Sequence, residues 1–434
     1  MTALTRNDRP GAYPPSWYAA TAQIAPERAP LQGAARADVC VVGAGFTGLH
    51  AALTLAEKGL KVIVLEAHRA GWGASGRNGG QVGSGFHHDQ RWIEAQVGRE
   101  RAHALWALAE EGKAMVRDFC AAHAPEARFR PGIVSAAYSA SEAADLHRDA
   151  AHLAEDYAYP HIAPLDRDEI RALVQTPLYH GGWIDRDAGH VHPLRYVLAL
   201  AARAEAAGVT IHERSTVTGI AQGKVARVRT EAGEVVTDHV ILAGNGYLPG
   251  LDRGYAARVL PFNSFIAATE PLGDLAPKVL AEDVAVFDSR WVVNYYRLSE
   301  DGRMLFGGRA AWGLTFPKDI TSKLHQRMVR MFPQLAGAKV SHGWGGTLGI
   351  TRTRLPVVMR VGANIVAAGG YSGHGVALAG LAGRVMAEAV AGQAGRFDAL
   401  AALPSPPFPG GAALRSPLML LGMGWFSLRD KLGV

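Results

Sequence analysis

The chain has 434 residues, 48% of them hydrophobic and 19% charged, with a formal net charge of +6 at pH 7. Such a composition excludes a disordered chain, and the length allows two or more sub-domains around a large buried core. The positive charge is scattered without a run of four basic residues, so a nucleic-acid partner is not expected. Two cysteines, Cys40 and Cys120, with no C-x-x-C spacing, exclude a redox dithiol or a zinc site.

Residues 1–36 read as a polar lead-in in which Trp17 and Tyr18 anchor on the body. No apolar signal-peptide core occurs there, so a cytoplasmic protein is the expectation. Residues 38–66 carry the strongest signal. Asp38–Val42 is a short strand, Gly43-Ala44-Gly45-Phe46-Thr47-Gly48 is a G-x-G-x-x-G turn, a helix runs on to Gly59, and the strand Lys61–Leu65 ends at Glu66. Together they form the pattern that binds an adenine dinucleotide. Gly43 permits the tight turn, Gly45 lets a pyrophosphate approach the backbone, and Gly48 lets the helix lie close on the strands. The helix start favours phosphates, and Glu66 can accept from ribose hydroxyls.

The glycine-dense segment Arg69–Gln81 marks backbone in unusual conformations or pressed against a ligand. Apolar spacing then predicts helices over 89–123, 141–154 and 194–207. Strands follow at Thr210–His212 and Thr216–Ile220, with a hairpin-like pair, Val225–Thr230 and Glu234–Thr237, and a short strand at Val240–Ala243. From 258 to 309 the pattern is β-rich, with strands at Val259–Thr269, Val284–Phe287, Val292–Leu298 and Met304–Phe306. A helix over Lys318–Phe332 and a strand at Val340–Trp344 precede a second strand–glycine–helix unit, Ile365–Ala368, GGYSGHG and Val376–Val390. That apolar tract is broken by His374, Arg384 and Glu388, so it reads as strand and helix and not as a membrane span. The final piece, Trp425–Leu432, reads as amphipathic. Two units about 330 residues apart that serve one site make the β-rich middle an inserted domain.

GASGRNGGQ at 73–81 and GYSGHGV at 370–376 carry a resemblance, with SWYAA at 16–20, GHVHPL at 189–194 and AGNGYL at 243–248. YYRL at 295–298, FPQL at 332–335 and SLRDKLGV at 427–434 add to it. The chain resembles the FAD-dependent amine and amino-acid oxidase superfamily, which includes D-amino-acid, glycine and sarcosine oxidases. Within it, the chain is most similar to the branch that acts on γ-glutamylputrescine.

The resemblance implies an α/β (α+β) fold: a Rossmann-like, glutathione-reductase-type FAD-binding domain with an inserted, mainly antiparallel β-sheet substrate domain. The FAD domain would comprise 37–88, 190–258 and 345–400, the substrate domain 89–189 and 259–344, and the tail 401–434. Gly43, Gly45, Phe46, Thr47 and Gly48 would hold the pyrophosphate, with Glu66 and Ala67 at the ribose. Ala74, Ser75, Gly76, Arg77, Asn78, Gly79, Gly80 and Gln81 would pass beneath the isoalloxazine, with the side chains of Ser75, Arg77 and Asn78 taking part. Arg77 also reads as half of a structural salt bridge. Val217, on a strand after the 194–207 helix, would meet the adenine through its backbone, or be a plain core valine. Ala243 and Gly244 would line the cofactor, and Gly370, Gly373, His374, Gly375 and Val376 would sit at the flavin pyrimidine. The helix start there would favour negative charge.

The implied reaction oxidises an amine C–N bond to an imine and then to an aldehyde and ammonia, with oxygen reduced to hydrogen peroxide. Orientation in a dry pocket that keeps the amine neutral would supply most of the advantage. Tyr295, Tyr296, Trp344 and Tyr371 are candidate walls, and each also reads as core. His374 reads as a packed or capping histidine more readily than as a base, and no essential base is identifiable. Arg297, Arg352 and Arg354 are candidate partners for a substrate carboxylate. Neither cysteine is placed to bond the flavin and 69–81 has no histidine, so FAD is expected to be non-covalent. Leu260–Glu270 lacks the lysine that some relatives hold over the flavin. That leaves oxygen or another electron acceptor open.

Overall fold

The fold comes from a computed structural model that describes residues 6–414 apart from 249, 291 and 311–314. The pieces Trp425–Leu432 and SLRDKLGV lie outside the described residues. In chain order the strands are β1 (Gly33–Val42), β2 (Val62–Leu65), β3 (Gln81–Val82), β4 (Arg130–Ala137), β5 (Ile162–Leu165) and β6 (Gly181–His190). There follow β7 (Thr210–His212), β8 (Gly219–Ala221), β9 (Ala226–Arg229), β10 (Gly233–Leu242), β11 (Leu260–Thr269) and β12 (Ala285–Asp288). The last are β13 (Tyr295–Leu298), β14 (Met304–Ala310), β15 (Val340–Ile350), β16 (Val357–Gly362) and β17 (Ile365–Gly369).

The first sheet has the order β16-β17-β10-β1-β2-β7, with the β8–β9 hairpin running off β10. From β17 to β7 all neighbours are parallel, and β16 closes one edge antiparallel. Both faces are covered, which is why its strands are short unbroken apolar runs such as Val62–Leu65. Val39, Val41, Val62 and Val64 face a helical layer, while Cys40, Val42, Ile63 and Leu65 pack with Ala226, Val228 and Tyr255. In the helical layer Gly375–Val390 lies on both Phe46–Glu57 and Arg99–His123. Gly383 makes the first contact possible, since a Cβ there would stand 2.1 Å from the Thr47 carbonyl oxygen. Gly48 lets the 46–57 helix lie close on β1, since a Cβ there would stand 1.9 Å from the Gly43 carbonyl oxygen.

The second sheet has the order β15-β11-β14-β13-β12-β4-β6-β3, with β5 on β6. Every pair is antiparallel except β12–β4. One face buries Val134, Ile184, Phe265, Val286, Tyr296 and Phe306 against the helix Thr321–Met331, through Leu324 and Met328. The fold is therefore the expected one: a parallel dinucleotide-type sheet joined to a mainly antiparallel sheet.

Several elements differ from the sequence reading. Glu234–Thr237 and Val240–Ala243 are not separate strands but parts of β10, which pairs antiparallel with β9 and parallel with β1. The helical stretch 89–123 is two helices, Gln90–Val97 and Arg99–His123, broken where Gly98 takes φ +85°. Strands β4 to β6 and β16 carry no strong periodic signal. In β6, GGWIDRDAGH has low β propensity, and its neighbours hold it in the sheet. Strand β3 belongs to the second sheet, β15 runs past 345 to Ile350, and the 99–123 helix packs on the 375–390 helix. The lead-in is tied down through Trp17 and Tyr18, both buried on the helix Trp17–Thr21.

Candidate active site

A cavity of about 1890 Å³ runs between the carboxyl ends of the parallel strands and one face of the second sheet. Its floor is backbone. Gly43, Ala44 and Gly45 follow β1, Glu66 and Ala67 follow β2, and Ala243 and Gly244 follow β10. The 46–57 helix begins at Gly45 with no side-chain cap from that residue and no acid in its first turn. Its positive end is thus left for an anion. Gly45 is needed there, because a Cβ would stand 2.8 Å from Ser75 Oγ.

The Glu66 carboxylate is half-buried and accepts the Ala44 N–H at 2.8 Å and the His68 N–H at 2.9 Å. Burial raises its pKa above the usual carboxylate range, partly opposed by those hydrogen bonds. Ser75 Oγ accepts the Phe46 N–H at 3.0 Å, and Thr47 Oγ1 is 2.7 Å from Tyr371 Oη. Val217 borders the cavity, but it lies in the connection between β7 and β8 and not on a strand.

Two side chains of the 74–81 loop that border the cavity, Arg77 and Asn78, are also tied into the fold. Arg77 is buried and lies over the Trp72 ring at 4.2 Å. It donates to Trp72 O at 2.7 Å, Asp8 Oδ2 at 2.8 Å and Gly345 O at 3.0 Å. The structural salt bridge is the reading the geometry supports. Asn78 donates to Ala74 O and Ser75 O and accepts the Gly80 N–H, so it closes its own turn. Gly79 and Gln81 reach the cavity, whereas Gly48, Gly76, Gly80 and Gly370 lie behind its surface. Gly373, His374, Gly375 and Val376 form its wall at the start of the 375–390 helix.

The roof is the second sheet, and its alternation decides which side chains arrive. Ile133 and Ser135, Trp183 and Asp185, Phe262 and Ser264, Phe287 and Tyr295 reach the cavity, while Val134, Ile184, Phe265, Val286 and Tyr296 beside them are core. Tyr295 is therefore a wall. Tyr296 is not: it stacks on Phe306 and donates to Tyr179 Oη at 2.9 Å. Trp344 is also core, packed on Tyr18 with its indole N–H on Arg77 O. Tyr371 and His374 border the cavity.

Of the three candidate cations, Arg297 is spent inside the fold on Gly79 O, Val191 O and Tyr18 Oη. Arg352 and Arg354 both reach the cavity. His87 and His88 were not singled out from the sequence, yet they stand there beside His374, with the His87 and His374 rings 5.7 Å apart. His87 keeps an exposed ring in the cavity, and desolvation by the surrounding walls, then the neighbouring His374 and Arg354, lowers its pKa. Burial and His88 pull His374 down to about 4. Both rings are neutral at pH 7. Strand β11, LPFNSFIAAT, contains no lysine. The buried Lys113 lies on the 99–123 helix and holds the cavity-lining Ser84 at 2.8 Å, with ion pairs to Glu110 and Asp187. Among the described residues no cluster of His, Cys, Asp and Glu is arranged to hold a metal ion, and no helix is long and apolar enough to cross a membrane.

Residues 38–389 match the family described as FAD dependent oxidoreductase (DAO). The chain is 39% identical to the gamma-glutamylputrescine oxidoreductase of Escherichia coli (strain K12) over 421 residues, 96% of this chain and 99% of the relative. It is also 39% identical to the probable oxidoreductase OrdL of Rhizobium meliloti (strain 1021) over 417 residues, 96% and 97% of the two chains. Glycine oxidase from Geobacillus kaustophilus has a similar structure, with a TM-score of 0.68 at 22% identity, covering 83% of this chain and 95% of its own.

Proposed function

The chain belongs to the FAD dependent oxidoreductase family, and we propose that it oxidises the terminal C–N bond of γ-glutamylputrescine or a similar N-acylated diamine. The observation that carries this reading is the continuity of the cavity. It joins the backbone cradle at 43–47 to the roof at Tyr295 and continues past Trp183 and Phe287 to Leu146 and Leu153. A long acylated amine fills such an arm, and a substrate the size of glycine leaves it empty. The similarity to the Escherichia coli enzyme points the same way.

FAD is the two-electron acceptor that the family supplies, so that amine plus oxygen and water yields aldehyde, ammonia and hydrogen peroxide. The residues present suit it. The glycine turn and the open end of the 46–57 helix would take the pyrophosphate, Glu66 would take the ribose, and Val217, residues 74–81 and residues 373–376 would hold the rest of the cofactor. We further propose that FAD is not covalently attached, since Cys40 and Cys120 are both buried away from the cavity. Acid precipitation should then leave a yellow supernatant. The protein's own contribution is positioning and exclusion of water: the aromatic roof lowers the amine's pKa, which frees the lone pair. The two neutral histidines at the wall add no charge of their own to the pocket.

The test is anaerobic spectroscopy with γ-glutamylputrescine, putrescine, sarcosine, glycine and several D-amino acids, followed by admission of air. Bleaching of the flavin band by γ-glutamylputrescine alone, with peroxide on aeration, is the expected result. Bleaching by glycine or sarcosine and not by the acylated diamine overturns the substrate assignment. Reoxidation by a quinone but not by air would make the enzyme a dehydrogenase of the same amine.

A further inference from the structure

Tyr295 is seated with unusual care for a wall residue. Its ring occupies space left by two glycines on different elements. A Cβ at Gly79 would stand 2.9 Å from Tyr295 Cδ2, and one at Gly307 would stand 2.1 Å from Cζ. Gly307 is the β14 partner of Tyr295, and Gly79 lies in the loop on the cavity floor. The ring thus bridges roof and floor. Its hydroxyl ends 3.1 Å from Ser264 Oγ on β11. Of the described β11 and β13 side chains that reach the cavity, Leu260, Phe262 and Ile266 are apolar, and this hydroxyl pair is the polar point among them.

Two hydroxyls carry two protons and four lone pairs, and the bond between them uses one of each. Three lone pairs and one O–H remain for a ligand. A neutral amine can donate an N–H to such a pair and keep its own lone pair free. Burial pushes the Tyr295 phenol up to about 12, so it stays a phenol at working pH and does not act as a base. We propose that the Tyr295–Ser264 pair accepts an N–H of the substrate amine and thereby aims its lone pair and α C–H at the floor of the cavity. This rests on the amine-oxidising function proposed above.

The test uses the FAD-loaded protein with Tyr295→Phe and Ser264→Ala, and two readouts. One is the anaerobic rate of flavin reduction by the substrate. The other is the flavin-band shift on titration with tert-butylamine, which has no α C–H and cannot be oxidised. Both variants should keep their FAD content. Tyr295→Phe should slow reduction and weaken tert-butylamine binding, each about ten-fold, the scale of one lost hydrogen bond, with Ser264→Ala moving both in the same direction. Unchanged rate and affinity in Tyr295→Phe overturn the proposal. If no amine reduces the wild type but Tyr295→Phe still weakens tert-butylamine, the contact stands and the oxidase reading fails. A wild type that neither reacts with amines nor binds tert-butylamine overturns both.

Discussion

The two sheets meet the same cavity in different ways. The first presents the carboxyl ends of its parallel strands, so what it offers a ligand is mostly backbone at Gly43–Gly45, Ala67 and Ala243. The second presents one face and offers alternate side chains, among them Trp183, Ser264 and Tyr295. Backbone recognition demands glycine at set places and leaves a motif. Face recognition depends on register, and a slip of one residue would exchange Tyr295 for Tyr296. The cofactor side is therefore expected to be intolerant of added atoms, and the substrate side tunable.

The sharpest way to break that contrast is Gly45→Val. The added side chain meets Ser75 Oγ where the pyrophosphate needs the backbone, so the purified protein should be colourless. A fully yellow variant would remove the backbone cradle from the account.

A second effect concerns the segment that braces the floor. His68 is buried, stacks on Trp72 and accepts the Gly11 N–H at 3.1 Å on Nδ1, which requires an unprotonated nitrogen there. Burial, with help from Arg77, lowers its pKa from 6.5 to about 4. The unfolded chain takes a proton on this group below pH 6.5 and the folded chain does not until about 4. Stability therefore falls as the pH drops through that window, by up to about 3 kcal/mol from this residue. Thermal melts from pH 7 to 4 should show it, and His68→Gln should flatten the profile.

Gly307→Ala tests the roof. Its methyl overlaps the Tyr295 ring, and overpacking of this kind costs about 1–3 kcal/mol. FAD content should hold while amine reduction slows; a colourless variant would mean that the roof, too, decides cofactor retention. The smallest effect is Tyr296→Phe, one residue along on the opposite face. Losing the hydroxyl contact with Tyr179 should lower stability by about 1 kcal/mol. Amine kinetics should not change, and a change would blur the division between the faces.

What was legible in the chain follows the same division. The 38–66 unit was readable because each part answers a backbone requirement: glycines at 43, 45 and 48, a β-branched strand on either side, and an acid at 66. The parallel strands were readable as apolar runs buried on both faces. On the roof, β11 and β13 were visible as strands, but YYRL does not say which tyrosine looks into the cavity. That is set by pairing with Gly307 on β14, far along the chain. Strand β6 was hidden because Gly, Asp and Ala carry no strand signal of their own. The guanidinium of Arg77 was ambiguous for a related reason: its partners, Asp8 and Gly345, come from both ends of the sequence. His87 and His88 follow the glycine-dense loop with no spacing to mark them. Their place beside His374 depends on how that loop crosses the start of the 375–390 helix.

The most direct test of this division of labour is a crystal structure of the FAD-loaded protein with tert-butylamine bound. The expected result has the pyrophosphate on the backbone of residues 43–48 and the amine nitrogen within hydrogen-bond reach of Tyr295 Oη or Ser264 Oγ. A pyrophosphate held by side chains of the second sheet, or an amine bound away from β11 and β13, would contradict it.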